Sequence, residues 1–236
     1  MLDTPLVGPV CDECWSQIRI LVAPFCRTCG DPLASWRVIS AALEQCPRCR
    51  RAPSAVDAAR AAGHYEGTLR AILHAFKYDG RRRLARPLSA LMIEAGAHVL
   101  KSADWVVPVP LHPWRRARRG FNQAEELARH LGVPMRRVLW RVRATAPQTG
   151  LDARARRRNL DGAFRLSPFL TSRRRRQWLE GRTVVLIDDV RTTGATLEAC
   201  ATVLKTAGAG EVRALTVAKA DLHAVGRERF RAETAA

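Results

Sequence analysis

Short apolar runs alternate with segments of helical periodicity from about residue 64 to residue 218. Buried strands are predicted by three apolar runs, at residues 105–110, 184–187 and 212–218. Helices are predicted where apolar residues recur every three or four positions, over residues 68–78, 87–100 and 197–207. The run Val-Val-Leu-Ile at 184–187 contains three β-branched residues, which suits a parallel strand covered on both faces.

Weaker patterns lie between these elements. A helix is predicted to begin after Asn122, which with Glu125 three residues on resembles a capping box. Residues 143–161 are polar, irregular and rich in arginine, and a loop of this length is usually functional or disordered. Residues 167–180 carry four consecutive arginines and are predicted to be a surface insertion. Two further short strands are predicted, over residues 135–142 and 163–166.

Two side chains within the predicted helices could carry chemistry. Lys77 stands at the end of its helix and could reach an anion, but we expect it to be solvated. Cys200 shares an apolar helix face, so we expect a buried residue and not a nucleophile.

Acidic and hydroxyl side chains directly follow the run at residues 184–187. Asp188 and Asp189 come at the carboxyl end of the predicted strand, where open α/β sheets bind their ligands. The following residues, up to Thr196, contain three threonines and Gly194, and they predict a turn that leads into a helix. Free N–H groups and the helix dipole favour a phosphate there. The carboxylates suit the hydroxyls of an attached sugar, or Mg²⁺, so a sugar phosphate with vicinal hydroxyls fits this segment.

Two other interpretations of this segment are possible. One is a plain strand–turn–helix unit with a threonine cap. The other is the ATPase strand that ends in aspartate and positions Mg²⁺. That strand requires a Gly-x-x-x-x-Gly-Lys-Ser/Thr loop, which the sequence does not contain.

Composition adds a strong positive charge. The chain of 236 residues has 40 basic and 22 acidic residues, a net charge of +18, and nearly all the basic residues are arginine. Such a field attracts polyanions, of which nucleic acid is the obvious one, although a biased coding composition would also produce it. No run of eighteen apolar residues and no secretory signal is present, so a cytoplasmic protein is expected.

Six of the seven cysteines form Cys-x-x-Cys pairs, at positions 11 and 14, 26 and 29, and 46 and 49. In a cytoplasmic protein such pairs indicate zinc ligands, and a redox motif would need only one pair. Zinc takes four ligands, and we choose Cys26, Cys29, Cys46 and Cys49 as the complete site. Joining Cys11 and Cys14 to Cys26 and Cys29 is the competing choice. With our choice, the partner pair of Cys11 and Cys14 would lie upstream of Met1, so a native start further upstream is expected.

Five stretches together resemble the ComF family of competence-associated, phosphoribosyltransferase-like proteins. The stretch at residues 184–196 by itself resembles the phosphoribosyl-pyrophosphate (PRPP) motif of type I phosphoribosyltransferases. The other four are Phe76-Lys77-Tyr78-x-Gly80, residues 107–112 (Val-Pro-Val-Pro-Leu-His), residues 119–124 (Arg-Gly-Phe-Asn-Gln-Ala), and Gln148-x-x-Leu151 with Arg156-x-x-Asn159.

The resemblance implies an α/β fold: a doubly wound, mainly parallel sheet of type I phosphoribosyltransferase type, preceded by a small zinc-ribbon module. The implied division of the chain is a cysteine module at 1–52, a linker at 53–63, a phosphoribosyltransferase-like domain at 64–222 and a tail at 223–236. Residues 143–161 would be the flexible hood that closes over PRPP. Family members often carry two zinc ribbons, and this chain has three of the four pairs expected for them.

The resemblance also implies the ligand-binding residues. Asp188 and Asp189 would hold the ribose 2′ and 3′ hydroxyls. The loop from Arg191 to Thr196 would hold the 5′-phosphate, and the loop around Pro110 to Arg115 would hold the pyrophosphate. The full implied set is Asp188, Asp189, Val190, Arg191, Thr192, Thr193, Gly194, Ala195, Thr196, Pro110, Leu111, His112 and Arg115. No catalytic residue is assigned by it.

The function implied by the resemblance is natural transformation through uptake of single-stranded DNA, with PRPP or a related phosphorylated ribose as ligand. A DNA-uptake helicase is the protein partner that it suggests, zinc is structural, and Mg²⁺ would accompany PRPP. The alternative is an active transferase that moves the phosphoribosyl group from PRPP to an acceptor. Whether the protein is an enzyme therefore stays open at this point.

Overall fold

The computed structural model describes residues 10–33, 44–143, 160 and 162–220, without the side chains of Arg115 and Arg118. Most of the predicted hood, at residues 144–159 and 161, and the predicted tail at 223–236 lie outside the described residues. The described helices are α1 (Asp12–Ser16), α2 (Pro47–Arg51), α3 (Gly67–Tyr78), α4 (Ala85–Leu100), α5 (Pro113–Arg119), α6 (Gln123–Ala128), α7 (Ser172–Leu179) and α8 (Ala195–Thr206). The described strands are β1 (Ala58–His64), β2 (Trp105–Pro108), β3 (Leu139–Arg141), β4 (Phe164–Leu166), β5 (Thr183–Arg191) and β6 (Glu211–Lys219).

A four-stranded sheet of order β1–β6–β5–β2 forms the centre of the protein, and all its neighbouring strands are parallel. β5 lies inside the sheet, paired with β6 over its whole length and with β2 from Val184 to Ile187. Its apolar residues from Val184 to Ile187 are fully buried, as the unbroken apolar run predicts. The carboxyl ends of all four strands meet at one edge of the sheet.

Helices cover both faces of this sheet. Val185 and Ile187 pack against α3, α4 and α6, whereas Val184 and Leu186 pack against α8 and the small antiparallel β3–β4 sheet. This alternation follows from the period of two residues along a strand. The predicted doubly wound parallel α/β fold is therefore confirmed. No helix among the described residues is long and apolar enough to span a membrane.

Most predicted elements agree with the structure, with shifted ends. Residues 167–180 contain α7, whose last residue Leu179 is buried in the second core. Asn122 caps α6, because its Oδ1 accepts a hydrogen bond from the amide of Ala124 at 3.1 Å. The reciprocal half of the predicted capping box is not seen, since Glu125 contacts Arg129 and Arg137 instead. Cys200 is fully buried, as predicted.

The cysteine module packs directly on the edge of the sheet. The amide of Leu21 donates to the carbonyl of Ala62 and the amide of His64 donates to the carbonyl of Arg19, so this segment runs antiparallel to β1. Gly30 lies so close that a Cβ atom would be 2.2 Å from the carbonyl oxygen of Ala59, and its φ of +67° also favours glycine. The module thus covers an edge strand that would otherwise be exposed.

The predicted linker at residues 53–63 is wrong over most of its length. Residues from Ala58 onward form β1, which pairs with β6 from Ala58↔Arg213 to His64↔Lys219. The strand was not predicted because β1 (Ala-Ala-Arg-Ala-Ala-Gly-His) consists mostly of small residues. It lacks the β-branched and large apolar side chains that mark strands in a sequence. The other predicted domain boundaries remain predictions.

Candidate functional site

The two acids of the PRPP-like motif lie at the carboxyl end of β5 and point to opposite faces of the sheet. Asp188 continues the row of Val184 and Leu186, which faces α8, and Asp189 continues the row of Val185 and Ile187. The amide of Asp189 donates to Oδ1 of Asp188 at 2.9 Å. The strand thereby places both carboxyl groups at its carboxyl end, one residue apart.

Asp189 is paired with a buried lysine. Nζ of Lys77, at the end of α3, lies 3.1 Å from Oδ2 of Asp189, and the two side chains are only 14% and 12% exposed. Burial opposes the charge of Lys77, but Asp189 and Tyr65 outweigh it and raise the pKa of the lysine. The prediction that Lys77 is a solvated helix end is therefore wrong, since α3 packs its last turn against the strand end.

Among the described residues, Asp188 has no such cation in direct contact. Burial, followed by the charge of Asp189, raises the pKa of Asp188 from 3.8 to about 7, and the more distant charges of Lys77 and Arg141 compensate only in part. A carboxyl group with this pKa exchanges its proton near neutral pH. It can therefore accept hydrogen bonds from hydroxyls as an anion or donate one as an acid.

The segment after β5 forms a bend with free backbone donors. Within residues 162–220, the amides of Thr192, Thr193, Gly194 and Thr196 donate to no protein acceptor, while the amide of Ala195 donates to Oγ1 of Thr193 at 3.3 Å. Gly194 has φ of +81°, which glycine adopts without strain, and it precedes the first residue of α8. Four amides at the N-terminus of a 12-residue helix form a suitable cradle for a phosphate.

The loop after β2 reaches the same edge of the sheet. The amide of Val109 donates to the carbonyl of Ile187 at 2.9 Å, and the side chain of Asn122 donates to the carbonyl of Val109 at 3.0 Å. Pro110, Leu111 and His112 follow and are half-buried. Nδ1 of His112 accepts from the amide of Trp114 at 3.4 Å and caps α5, in which Arg115 also lies. This places the predicted pyrophosphate loop next to the end of β5.

Arg191, which was predicted to begin the phosphate loop, belongs to the strand together with Val190. Val190 packs against the first core, and the guanidinium of Arg191 is buried against the cysteine module, 2.5 Å from Oδ1 of Asp31. Arg48 and Lys219 also contact Asp31, at 3.4 and 3.7 Å. Burial would raise the pKa of Asp31, but the three cations outweigh it and hold the pKa below its ordinary value.

A cleft of about 190 Å³ lies between the cysteine module and the bend. Its walls include Arg48 and Cys49 of the module and Arg191, Thr193 and Gly194 at the end of β5. The sequence pattern gave no sign of this contact, since Asp31 lies 160 residues from Arg191. The bend is thus supported from the side of the module as well as by the sheet.

The cysteine module contains a suitable metal site. The sulfur atoms of Cys26, Cys29, Cys46 and Cys49 all lie within 4.8 Å of one another, and Sγ of Cys29 is 3.7 Å from Sγ of Cys46. Tetrahedral zinc with Zn–S bonds of about 2.3 Å holds its sulfurs about 3.8 Å apart, so the four residues fit zinc. The amide of Cys46 donates to Sγ of Cys26 at 3.3 Å, a contact that favours a thiolate.

Cys11 and Cys14 are not part of this cluster. Their sulfurs lie 3.3 Å apart near the start of the described residues. The geometry therefore favours our choice of ligands over the competing set, which joined these two residues to Cys26 and Cys29.

Sequence reasoning missed two contacts of the site. Asp31 carried no motif, and only its place two residues after Cys29 marks it as part of the cysteine module. Lys77 did lie in a stretch shared with the resembling family, Phe76-Lys77-Tyr78-x-Gly80, which was a signal in favour of a role at the site.

Comparison with known proteins agrees with this geometry. The phosphoribosyl transferase domain family matches residues 117–232. Competence protein F of Haemophilus influenzae is 32% identical over 221 residues, 89% of this chain and 90% of that protein. The DNA utilization protein YhgH of Salmonella typhimurium is 33% identical over 215 residues, 86% of this chain and 87% of that protein.

Among solved structures, orotate phosphoribosyltransferase from Aeropyrum pernix is 20% identical and aligns over 68% of this chain and 81% of that chain, with a TM-score of 0.33. The match to competence protein F spans about nine-tenths of both proteins. The chain therefore belongs to the ComF family of competence-associated, phosphoribosyltransferase-like proteins.

Proposed function

We propose that the carboxyl end of β5 binds a phosphorylated ribose, with PRPP as the expected ligand, and that the protein acts in natural transformation on single-stranded DNA in the cytoplasm. The observation that carries the first part is the combination of two features: four amides of the bend have no acceptor among the described residues, and an acid pair lies one residue apart on the same strand end. The free amides take the 5′-phosphate, and the carboxyl groups take the vicinal hydroxyls.

The two acids have different roles in this proposal. Asp189 is paired with Lys77 through Oδ2, and its Oδ1 accepts a hydrogen bond from a ribose hydroxyl. Asp188 has no cation in direct contact within the part of the chain that the structure describes, and it gains a hydrogen-bonding partner when the ribose binds. The pyrophosphate group of PRPP lies toward the Pro110–His112 side, where Mg²⁺ bound to PRPP offsets its negative charge.

The role with DNA is supported by charge and by relatives. The net charge of +18 attracts phosphates, and a relative at 33% identity is named a DNA utilization protein. A second relative, at 32% identity, is named competence protein F. A DNA-uptake helicase is the partner that this role suggests.

Titration calorimetry with PRPP and Mg²⁺ tests the ribose phosphate site. We expect wild type to bind PRPP, and ribose 5-phosphate to compete with it. Thr196→Val removes a hydroxyl in the first turn of α8, and we expect a loss of affinity of about tenfold, because hydrogen bonds to charged groups contribute about 1.5–3 kcal/mol. Thr202→Val, on the same helix but exposed and away from the bend, is the matched control.

The proposal fails if wild type binds neither PRPP nor ribose 5-phosphate in the presence of Mg²⁺. Equal losses for Thr196→Val and Thr202→Val would also contradict it, since the ligand would then lie elsewhere. Release of pyrophosphate during the titration would show turnover in addition to binding.

A further inference from the structure

An exposed aromatic pair stands on the far side of the β3–β4 sheet. The strands pair antiparallel with Trp140 opposite Arg165, and the residues that flank this pair in the strands (Leu139, Arg141, Phe164) are buried. Trp140 is 41% exposed and Phe169, just after β4, is 77% exposed. Their rings meet edge to face with centroids 6.4 Å apart. Two large aromatic side chains in contact on the surface are unusual unless they bind something.

The pair is held in place by the local backbone. The amide of Leu170 donates to the carbonyl of Ser167, and the amide of Phe169 donates to the hydroxyl of Ser167 at 3.3 Å, so Phe169 sits on a closed turn. Thr171 then caps α7, because its Oγ1 accepts from the amide of Arg174 at 3.3 Å. The rings are therefore presented by ordered backbone, which lowers the entropic cost of binding a ligand.

Exposed arginines lie opposite Trp140 in the β3–β4 pairing and a few residues after Phe169 along the chain. Arg165 and the four arginines of α7, Arg173–Arg176, are exposed, and none of them forms an ion pair within the described part of the chain. The sequence from Gly162 to Leu179 contains no aspartate or glutamate. We call Trp140, Phe169, Arg165 and Arg173–Arg176 the aromatic–arginine surface.

The helix that carries these arginines is firmly anchored. Leu179 is buried in the second core, and the guanidinium of Arg136 is stacked between the rings of Trp105 and Trp178, at 4.2 and 5.0 Å from the centroids. The guanidinium of Arg174 also lies over the ring of Trp178, 5.6 Å from its centroid. The charges of α7 are thus fixed next to the turn that presents Phe169.

We propose that the aromatic–arginine surface is where single-stranded nucleic acid binds, with bases stacked on Trp140 and Phe169 and phosphates paired with Arg165 and the arginines of α7. Rings that accept the faces of bases beside a row of cations are the general solution for binding a single strand. A duplex keeps its bases stacked on each other, so it would use only the charges. This inference rests on the proposed role with DNA and assigns that role to a surface separate from the bend after β5.

Fluorescence anisotropy with a labelled oligothymidylate tests the proposal. We expect wild type to bind it more tightly than the duplex of the same length, and Trp140→Ala with Phe169→Ala to lower the affinity for the single strand by about tenfold or more, with little change for the duplex. Trp114→Ala, which removes a 63% exposed tryptophan on α5, is the matched control and should bind as wild type does.

The charges are tested by salt dependence. Arg173→Gln with Arg175→Gln should flatten the dependence of log affinity on log salt by about 0.7 for each phosphate contact that is lost. Arg83→Gln with Arg86→Gln, a pair of exposed arginines at α4, should leave the slope unchanged. All changed side chains are exposed, so circular dichroism and melting temperature should match wild type.

The outcomes separate this inference from the proposed function. If wild type does not bind the oligonucleotide even at low salt, both the DNA role and this surface are wrong. If wild type binds but the aromatic variant binds equally well, or if Trp114→Ala has the larger effect, the DNA role stands and this surface is wrong. If duplex and single strand bind alike in every variant, binding is by charge alone and the stacking proposal is overturned.

Discussion

Two partly buried carboxyl groups near the end of β5 have pKa values that their surroundings shift in opposite directions. Asp31, in the cysteine module, has Arg191, Arg48 and Lys219 within 3.7 Å, and its pKa is lowered. Asp188, on the strand itself, receives one backbone hydrogen bond and has no cation in direct contact among the described residues, and its pKa is raised to about 7. Both lie close to the same bend.

The difference in pKa separates a structural carboxylate, Asp31, from a carboxyl group that is available to a ligand, Asp188. The charge of Asp31 is already balanced by three cations, and these ion pairs hold the cysteine module on the sheet. Asp188, with its raised pKa near the bend, has unused hydrogen-bonding capacity, which is typical of ligand sites. The comparison predicts that changes at the module cost stability, whereas changes at Asp188 cost ligand binding and increase stability.

Removal of the metal from the module should have the largest effect. A module of this size has little core of its own, and structural zinc contributes its binding energy to folding. We expect one zinc per chain, and we expect a chelator or Cys46→Ser to lower the free energy of unfolding by about 5 kcal/mol or more. Metal content and urea denaturation are the measurements.

Cys11→Ser is the control for the metal experiment. The sulfur of Cys11 lies outside the cluster, so this variant should keep its zinc and its stability. Loss of zinc in Cys11→Ser but not in Cys46→Ser would show that the other set of ligands is correct. In that case the contact of Asp31 with Arg191 would need another explanation.

Asp31→Ala should have the next largest effect. It leaves the guanidinium of Arg191, whose side chain is 3% exposed, without a counter-charge, and breaking a buried pair in this way costs about 3–5 kcal/mol. Glu66→Ala, which removes the partner of Arg19 in an exposed pair, should cost at most about 1 kcal/mol. Denaturation of both variants measures the difference.

Asp31→Ala combined with Arg191→Met sharpens this test. Because the double variant removes both charges, it should recover much of the stability lost in Asp31→Ala. If the double variant is as unstable as the sum of the two single changes, Asp31 and Arg191 are not coupled and the comparison with Asp188 loses its basis.

Most of the sheet could be predicted from the sequence because its strands are marked by the residues themselves. β5 and β6 contain runs of large or β-branched apolar residues with no competing pattern, and α3 and α8 show clear helical spacing. β1 could not be predicted, since alanine and glycine carry no strand signal. Its pairing with β6 is decided by contacts with residues about 150 positions away in sequence.

The acidic and hydroxyl residues of the site could also be predicted, because they are contiguous and their positions relative to a strand and a helix fix their place. The contacts that set their charge could not. Lys77 reaches Asp189 from another element, and Asp31 reaches Arg191 across 160 residues. The direction of a pKa therefore depends on tertiary structure, even where the titrating residue is evident from the sequence.

Asp188→Asn should have the smallest effect on the free energy of unfolding, and it should increase this free energy where the other changes lower it. A folded-state pKa of about 7 against an ordinary 3.8 means that the folded protein holds the proton more tightly, so stability is highest in acid and falls as the pH rises from about 4 to about 7. This difference corresponds to about 4 kcal/mol for a fully buried group. Because Asp188 is partly exposed, we expect Asn to raise the unfolding free energy at pH 8 by about 2 kcal/mol, and by less at pH 5.

Asp189→Asn is the matched control, one residue away on the same strand. It leaves Lys77 buried without an anion, so it should destabilise the protein at pH 8, where Asp188→Asn stabilises it. Both variants should bind PRPP more weakly than wild type, because each replaces a carboxylate at the ribose. Denaturation at pH 5 and pH 8 together with calorimetry separates the two effects. If Asp188→Asn were to destabilise the protein at pH 8, Asp188 would be a structural carboxylate like Asp31, and the distinction between the two groups would be wrong.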